Sequence, residues 1–418
     1  MDILFKNATV VCPETAVLSR TNVGICDGKI TFKTEGASAA RVIDCTHKVL
    51  MPGLYNCHTH AGMTLFRGFA NDRTLEDWLF NHLIPAEAKL TPALVRVGTQ
   101  LAMAEMLASG TVAFSDMYYN MDVVADAVNE AGMLANLCNG ADGGIDVYCD
   151  KFNQTARAFE QRNGRIKFDA HIHGCYTSPP EWWEQIADFA QKNNLRMHVH
   201  LSETKTEHDG CVEKYGATPA QMFAKHGVFD VPTLAAHGVW ATDEDIEILR
   251  EKSVTVAHNP LSNLKLASGL APVAKFMQSG INVALGTDGM ASNNSHDLFE
   301  EMKMASLLQK YATGDPTAVP ALDTLKMATI NGARAQGREN ESGQIKEGFD
   351  ADVILLDFNT PRQTMCYDPA LNLAYSASGR DVEMTIVRGK VLYEKGEFTT
   401  LDVEKIIHEA REAKKIFE

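Results

Sequence analysis

The sequence predicts an α/β protein made of a (β/α)8 TIM-like barrel and a small β-sandwich domain built from both chain ends. Three observations lead to this fold class. Eight short apolar segments alternate with helical segments between residues 51 and 344, which is the pattern of a (β/α)8 barrel. Residues 1–50 and 345–418 contain β-rich runs instead. The length of 418 residues accommodates both units, because a barrel needs about 250 residues.

The N-terminal segment is expected to form short strands. Apolar and β-branched residues fill positions 3–11. Residues 23–26 and 29–32 flank Asp27-Gly28, which is a typical hairpin turn. These strands would form the N-terminal half of the smaller domain.

The central segment, residues 51–344, is expected to form the barrel. Its predicted strands are residues 54–57, 111–115, 134–138, 168–172, 197–199, 234–236, 254–257 and 282–286. Its clearest predicted helices are residues 91–109, 122–131, 180–192, 218–225 and 243–251. In such a barrel the active site lies at the carboxyl ends of the strands.

The C-terminal segment resembles the first one in composition. Residues 351–357, 384–387 and 391–393 are β-rich, and residues 402–417 have the apolar spacing of a helix. The two terminal segments pair most simply into one domain, residues 1–50 plus 345–418.

Charge and cysteine content restrict the class of partner. The formal net charge is −15, which disfavours nucleic acid or an anionic membrane surface as the main ligand. The nine cysteines form no CxxC pair, and the chain lacks an N-terminal signal pattern and a long apolar run. We therefore expect a cytoplasmic enzyme that acts on a small molecule with water. The oligomeric state stays open, with a homo-oligomer as one option.

Four potential metal ligands follow predicted strands. His58 and His60 lie two residues apart after the first strand, where alternation points both side chains the same way. His200 ends the fifth strand and Asp288 follows the eighth. Three imidazoles and one carboxylate predict a site for one divalent metal ion per subunit. Zinc is favoured, and iron(II) or manganese would also suit these ligands.

Three residues near these ligands are candidates for catalysis. A divalent ion would lower the pKa of water towards about 7. Asp288 could then accept the first proton, and Glu203 is close enough to His200 in sequence to carry a proton to the substrate. His237, at the end of the sixth strand, could hydrogen-bond the metal-bound hydroxide or polarise the substituent of the attacked carbon. We expect His198 to point away from His200 and to pack behind the strand.

The motifs around these residues resemble those of the amidohydrolase superfamily, and within it the 5-methylthioadenosine/S-adenosylhomocysteine deaminase group with its chlorohydrolase-like relatives. The resemblance covers nearly the whole chain. The motifs are PGLYNCHTH at 52–60, HLSE at 200–203, AHG at 236–238, HNPLSNLKL at 258–266, LGTDG at 285–289 and GFDADV at 348–353. The resemblance implies a mononuclear metal site and hydrolytic deamination at C6 of an adenosine-type nucleoside, with release of ammonia.

The same resemblance implies a nucleoside pocket. Glu87 would bind the ribose hydroxyls and Trp78 would form a wall of the pocket. His173, at the end of the fourth strand, would contact the nucleoside. Glu203 would contact the substrate as well as carry the proton.

One departure from the family pattern bears on the substrate. Relatives that accept S-adenosylhomocysteine carry an arginine where this chain has Asn139, and residues 141–148 contain no basic residue. Loss of such a contact to a carboxylate costs about 1.5–3 kcal/mol. We therefore favour methylthioadenosine or adenosine, although Lys151 or a partner subunit could replace the contact.

Other hypotheses keep part of this site. A deaminase of guanine, a pterin or a triazine would use the same residues. A cyclic-amide hydrolase would need a second metal and a bridging lysine, but Lys167 lies at the wrong end of its strand. A non-catalytic binding protein would have lost ligands, whereas all four are present. Residues 292–295 are expected either to orient Asp288 or reach the substrate, or to cap the next helix, beginning with Ser292.

Overall fold

The N-terminal strands belong to a sheet that is distinct from the sheets of the barrel. A computed structural model describes residues 1–14, 16–73, 77–139, 145–160 and 164–417. Five strands come from the first 52 residues: β1 (Ile3–Cys12), β2 (Ala16–Cys26), β3 (Lys29–Thr31), β4 (Arg41–Asp44) and β5 (Lys48–Pro52). β1 pairs antiparallel with β2 and parallel with β4 and β5.

The central strands form the predicted parallel arrangement. They are β6 (Leu54–Thr59), β7 (Thr111–Tyr118), β8 (Leu134–Asn139), β9 (Ile166–Phe168), β10 (Ala170–Ile172), β11 (Met197–Leu201), β12 (Thr233–His237), β13 (Thr255–His258) and β14 (Val283–Leu285). Neighbouring strands pair in parallel, from β6 to β9 and from β10 to β14. The prediction of eight barrel strands is confirmed, with the fourth divided into β9 and β10.

Asp169 separates the two halves of the fourth strand. Its buried carboxylate accepts hydrogen bonds from Asn136 Nδ2, the shorter at 2.9 Å. Its backbone N–H donates to Leu137 O on β8, whereas Ala170 N–H donates to Arg196 O, just before β11. The fourth strand therefore changes partners at this residue.

Polar contacts connect the eighth strand to the first. Asp288 N–H donates to His58 O at 2.9 Å. The Asn56 side chain donates to Thr287 Oγ1 at 2.8 Å and accepts from Thr287 N–H at 3.0 Å. These bonds place the Asp288 segment beside the two histidines of β6.

Helices surround the strands in the described ranges. They are α1 (Ile84–Glu87), α2 (Pro92–Ala108), α3 (Met121–Ala131), α4 (Ile145–Glu160), α5 (Pro180–Lys192), α6 (Lys205–Tyr215), α7 (Pro219–Lys225), α8 (Asp243–Glu251), α9 (Pro260–Lys265), α10 (Val273–Gln278), α11 (Leu298–Thr313), α12 (Ala321–Ala328), α13 (Ile330–Ala335), α14 (Pro369–Tyr375) and α15 (Val403–Phe417). Short 3-10 or π turns cover Ala61–Phe66, Asp77–Leu83, Val228–Asp230 and Gly379–Asp381. Within the same ranges, none of the helices has the length and hydropathy of a membrane-crossing segment.

The C-terminal strands join the N-terminal sheet. They are β15 (Val353–Asp357), β16 (Val382–Val387), β17 (Lys390–Glu394) and β18 (Glu397–Phe398). The order across the sheet is β18-β17-β16-β15-β5-β1-β2-β3, with β4 beside β1. Side chains from both chain ends, such as Phe5, Leu50 and Leu355, share an apolar cluster that is separate from the barrel core. The expectation that both ends build one β unit is confirmed.

Candidate metal and active site

The strand ends bring the polar residues predicted from the sequence together at one face of the barrel. His58 and His60 come from β6 and its C-terminal end, His200 from β11, and His237 from β12. Potential ligand atoms of His58, His60 and His200 lie within 4.8 Å of one another, as do those of His58, His237 and Asp288. All five residues are buried.

Each of the three clustered imidazoles is anchored through Nδ1. His60 Nδ1–H donates to Met117 O at 2.5 Å, and His200 Nδ1–H donates to His173 O at 2.7 Å. His58 Nδ1 lies 3.0 Å from His198 Nε2. The two carbonyl contacts assign the ring protons of His60 and His200 to Nδ1 and leave their Nε2 atoms available, which is the arrangement found in metal-binding histidines.

Asp288 is held on several sides. Its Oδ2 accepts hydrogen bonds from Ser262 Oγ at 2.5 Å and Ser292 Oγ at 3.0 Å. Its Oδ1 lies 3.4 Å from His58 Nε2 and 3.2 Å from His60 Nε2. Ser292 therefore orients Asp288, whereas Asp297 caps the following helix, α11, by accepting from Phe299 N–H.

Close backbone packing makes a glycine necessary beside these ligands. A Cβ atom on Gly286 would lie 2.4 Å from Asn259 Oδ1 and 2.8 Å from His58 N. Two site residues also have left-handed backbone angles, with φ of 74° at His237 and 63° at Asp288. Such strained positions are concentrated at functional sites.

The histidines and Asp288 influence one another electrostatically. Burial lowers the pKa of His58 to about 3. Burial alone would also lower the pKa of His60, but the hydrogen bond to Asp288 reverses the shift and raises it to about 9. Burial would raise the pKa of Asp288, yet the contacts with both histidines hold it well below its usual value. Asp288 thus supplies negative charge where the imidazoles converge.

The donor set fits a divalent cation. Among the described residues, the buried Nε2 atom of His58 has no hydrogen-bond partner. A buried polar atom without a partner is costly, and coordination would satisfy it. Imidazoles and a carboxylate at this spacing are suited to zinc and to similar ions.

Glu203 lies beside the cluster at the start of the loop after β11. Only 7% of Glu203 is exposed, and burial raises the pKa of its carboxyl group. Its Oε2 lies 3.9 Å from His237 Nε2. Its backbone N–H donates to Glu207 Oε2 at 2.7 Å. The carboxyl group of Glu203 is therefore placed to exchange a proton beside the histidine cluster.

His237 is oriented by amide side chains. Its Nδ1–H donates to Asn263 Oδ1 at 2.8 Å, and Asn259 Nδ2 lies 3.4 Å from the same nitrogen. This leaves Nε2 directed towards Glu203. The structure therefore brings His237 and Glu203 to the same side of the cluster.

A cavity of about 300 Å³ opens beside His60 and His173. Most of its lining side chains are apolar or aromatic: Met63, Leu79, Phe80, Ile84, Met117, Tyr118, Tyr119, Ile172, Tyr176, Trp182 and Ile186. Glu87 provides the carboxylate of this lining, with 9% of the residue exposed. An adjoining cavity of about 610 Å³ shares Ile84, Glu87 and Tyr119.

The predicted pocket residues differ in their placement. Glu87 lines the cavity and accepts a hydrogen bond from Tyr118 Oη at 2.6 Å. His173 also lines it, and burial lowers the pKa of its imidazole to about 4. Trp78 instead packs in an apolar cluster with Phe66 and Leu83. The neighbouring Leu79 and Phe80 reach the cavity.

Comparison with known proteins decides the family. The amidohydrolase family model matches residues 49–392. The chain belongs to the amidohydrolase family.

Curated relatives match this amidohydrolase over nearly its whole length. A 5'-deoxyadenosine deaminase of Methanosarcina mazei is 45% identical, covering 99% of this chain and 97% of its own. A 5-methylthioadenosine/S-adenosylhomocysteine deaminase of Acetivibrio thermocellus is 43% identical, covering 99% of both chains. The predicted family resemblance is confirmed, as is the prediction of a metal-dependent hydrolase.

Solved structures confirm the fold class of this amidohydrolase. An adenosine deaminase from Xanthomonas campestris with bound zinc has a TM-score of 0.95 at 31% identity, covering 100% of this chain and 98% of its own. An atrazine chlorohydrolase from Arthrobacter aurescens complexed with zinc has a TM-score of 0.90 at 23% identity, covering 99% and 100%. The second likeness concerns the fold alone.

The prediction for His198 is wrong. Residues two apart on a strand point to the same side, so His198 lies on the inner side with His200 and contacts His58. Sequence reasoning also missed Asp116, whose Oδ1 accepts from Thr59 Oγ1 at 3.0 Å and from Ala61 N–H at 2.6 Å, on both sides of His60. Its position near the end of β7, a strand adjacent to β6, was the available signal.

The residues behind the predicted preference against S-adenosylhomocysteine lie partly outside the described part of this amidohydrolase. Residues 140–144 and the side chains of Asn139 and Lys151 fall outside the described residues. The predicted absence of an arginine contact at Asn139 therefore stays a prediction from the sequence.

Glu207→Gln is expected to change how stability depends on pH. Burial raises the pKa of Glu207 from 4.5 to about 7, so the folded protein binds this proton more tightly than the unfolded chain. Its contribution to stability is therefore present below pH 4.5 and is lost as the pH rises towards 7. Relative to wild type, the variant should gain about 3 kcal/mol of unfolding free energy between pH 4.5 and 8.

Denaturant unfolding of both proteins at these two pH values measures the effect. Glutamine keeps an oxygen that can accept from Glu203 N–H. Glu213→Gln, at an exposed position on the same helix α6, is the matched control and should show no such trend. An equal difference from wild type at both pH values for Glu207→Gln would contradict the expectation.

Proposed function

We propose that this amidohydrolase is a metal-dependent hydrolytic deaminase that acts on C6 of an adenosine-type nucleoside and releases ammonia. One observation carries the proposal: three imidazoles with anchored Nδ1 atoms converge with Asp288 beside Glu203 and the cavity that contains Glu87. The names of the relatives at 43–45% identity point to the same reaction class.

The metal site of the proposal consists of His58, His60, His200 and Asp288. One divalent ion per chain is expected, with zinc favoured and iron(II) or manganese as alternatives. When bound, such an ion lowers the pKa of water and makes it a nucleophile near neutral pH. The zinc bound in the adenosine deaminase from Xanthomonas campestris, which is 31% identical to this chain, supports this choice.

The protein side chains then move the protons. Asp288 accepts the proton of the attacking water, since its oxygens already face the histidine cluster. Glu203 donates a proton to the ring nitrogen next to C6. It then takes up the proton of the hydroxyl group added at C6 and delivers it to the leaving amine, which departs as ammonia. The proton that Asp288 accepted returns to Glu203 and restores the starting state. His237, held by Asn263, directs Nε2 towards the attacked carbon. Removal of water from these groups strengthens their electrostatic interactions.

The cavity supports a nucleoside with a small, uncharged 5' substituent. Its described lining includes no lysine or arginine that could pair with an amino-acid carboxylate. Its apolar walls suit a methylthio group or a hydrogen at C5'. We therefore favour 5-methylthioadenosine, 5'-deoxyadenosine or adenosine over S-adenosylhomocysteine. Glu87 would accept hydrogen bonds from the ribose hydroxyls, His173 would contact the nucleoside, and Trp78 would support the wall from behind.

A substrate screen tests the proposal directly. Enzyme of known zinc content is assayed for ammonia release from the four nucleosides above and from guanine, a pterin and an aminotriazine. We expect turnover of the three favoured nucleosides and weaker turnover of S-adenosylhomocysteine. Turnover of free bases or triazines without any nucleoside turnover would overturn the nucleoside assignment.

Glu87→Ala is expected to raise KM for nucleosides about 10- to 100-fold with a small change in kcat, because a charged hydrogen-bond acceptor contributes about 1.5–3 kcal/mol. The matched measurement uses 2',3'-dideoxyadenosine, which lacks both ribose hydroxyls. If Glu87 binds these hydroxyls, the substitution has little effect on the dideoxy compound. An equal rise of KM for both compounds would show that Glu87 acts in another way.

A further inference from the structure

His58 differs from the other two clustered histidines in the group that anchors it. His60 and His200 donate to backbone carbonyl oxygens. His58 Nδ1 instead meets the side chain of His198, 3.0 Å away at Nε2. The two rings are nearly perpendicular, at 75°. Both residues are fully buried, with exposed fractions of 0% for His58 and 1% for His198. Among these three anchors, His198 is the one that a substitution can remove.

The hydrogen-bond directions around His198 agree with one assignment. If His58 Nε2 faces the metal, its ring proton must lie on Nδ1 and needs an acceptor. His198 Nε2 is then that acceptor, and its own proton lies on Nδ1, 3.8 Å from Cys138 Sγ. The Cys138 thiol in turn donates to Asp116 O at 3.3 Å. Each group in this series of hydrogen bonds thus donates in one direction, away from the proposed metal.

We propose that His198 is a positioning residue that holds His58 in the Nδ1–H tautomer and in the orientation needed for metal binding. The inference rests on the proposed metal site. It assigns a role to a buried residue that is not among the residues lining the substrate cavity and, in the proposal, does not bind the metal itself. Partners of metal-bound histidines typically change metal affinity about 10- to 100-fold when they are removed.

Two nearly isosteric substitutions separate hydrogen bonding from packing. His198→Gln keeps an oxygen that can accept from His58 Nδ1–H, whereas His198→Met fills a similar volume with only a weak acceptor. Zinc affinity is measured by competition with a chromophoric chelator, and the visible spectrum of the cobalt(II)-substituted proteins reports the geometry at the ion. We expect zinc to bind about 10- to 100-fold more weakly to His198→Met and within about threefold of wild type to His198→Gln.

Cys138→Ser provides a matched control, since it leaves the His58–His198 contact in place. Its zinc affinity should stay within about threefold of wild type. Thermal unfolding of the metal-free proteins establishes which variants are folded, and His198→Leu replaces His198→Met if the latter is not folded.

The possible outcomes distinguish the two proposals. A folded His198→Met or His198→Leu protein with wild-type zinc affinity and an unchanged cobalt spectrum would overturn the role of His198. Equal weakening in the glutamine and methionine variants would overturn it as well, because packing alone would explain the loss. Failure of the wild-type protein to bind one zinc per chain would instead overturn the proposed metal site.

Discussion

Glu203→Gln is expected to lower kcat/KM for adenosine-type nucleosides about a thousandfold, because a positioned acid–base group contributes about 10²–10⁴-fold. Glutamine has a similar shape but can neither donate nor accept the transferred proton. The carboxyl group lies 3.9 Å from His237 Nε2 and is buried, with a pKa that burial raises. Steady-state ammonia release measures the loss.

Metal content distinguishes loss of proton transfer from damage to the site. Glu203→Gln should retain the wild-type amount of zinc, since the histidine cluster and Asp288 are unchanged. Glu213→Gln, in the helix that follows, is exposed and should retain wild-type activity. Wild-type turnover by Glu203→Gln at equal zinc content would exclude Glu203 as the proton carrier.

Asp288→Asn is expected to abolish both metal binding and turnover. The substitution removes the negative charge that faces His58 and His60 at 3.4 and 3.2 Å. Asparagine keeps only one oxygen, so it cannot both face the histidines and accept from Ser262 and Ser292 as the two carboxylate oxygens do. Since the carboxylate is both the proposed ligand and the proposed first proton acceptor, activity should fall by at least about a thousandfold.

Chelation and reconstitution provide the comparison for Asp288→Asn. Wild-type enzyme should lose activity when zinc is removed and recover it when one equivalent is restored. When zinc is supplied at micromolar concentration, the Asp288→Asn variant should neither bind the ion nor regain activity. An Asp288→Asn protein that holds one zinc per chain and turns over normally would rule out both roles of Asp288.

The main features of the fold and the site follow from local sequence patterns. The carboxyl ends of parallel strands meet at one face, so the sequence pattern is sufficient to group residues such as His58, His200 and Asp288. The break at Asp169 could not be predicted, because it depends on two different neighbouring strands. Trp78 and Phe80 lie two residues apart on one short helical segment, and packing against Phe66 determines which of them faces the cavity.

The supporting residues of the site were harder to predict. The alternation rule that placed His58 and His60 together also places His198 with His200, and applying it consistently would have found the contact to His58. Asp116 contacts residues on both sides of His60 from another strand. A contact of this kind depends on the pairing register of β6 and β7, which the pattern of apolar residues does not specify.

The pairing of β5 with β15 has a consequence for biosynthesis. Residues 48–52 gain their antiparallel partner only when residues 353–357 are available. β6, which carries His58, begins one residue beyond Gly53, directly after β5. During translation, β5, which directly precedes the first barrel strand, therefore cannot pair with β15 until most of the chain has been synthesised. Contacts between distant chain segments slow folding, so the histidine cluster should mature late, once residues 353–357 have been synthesised.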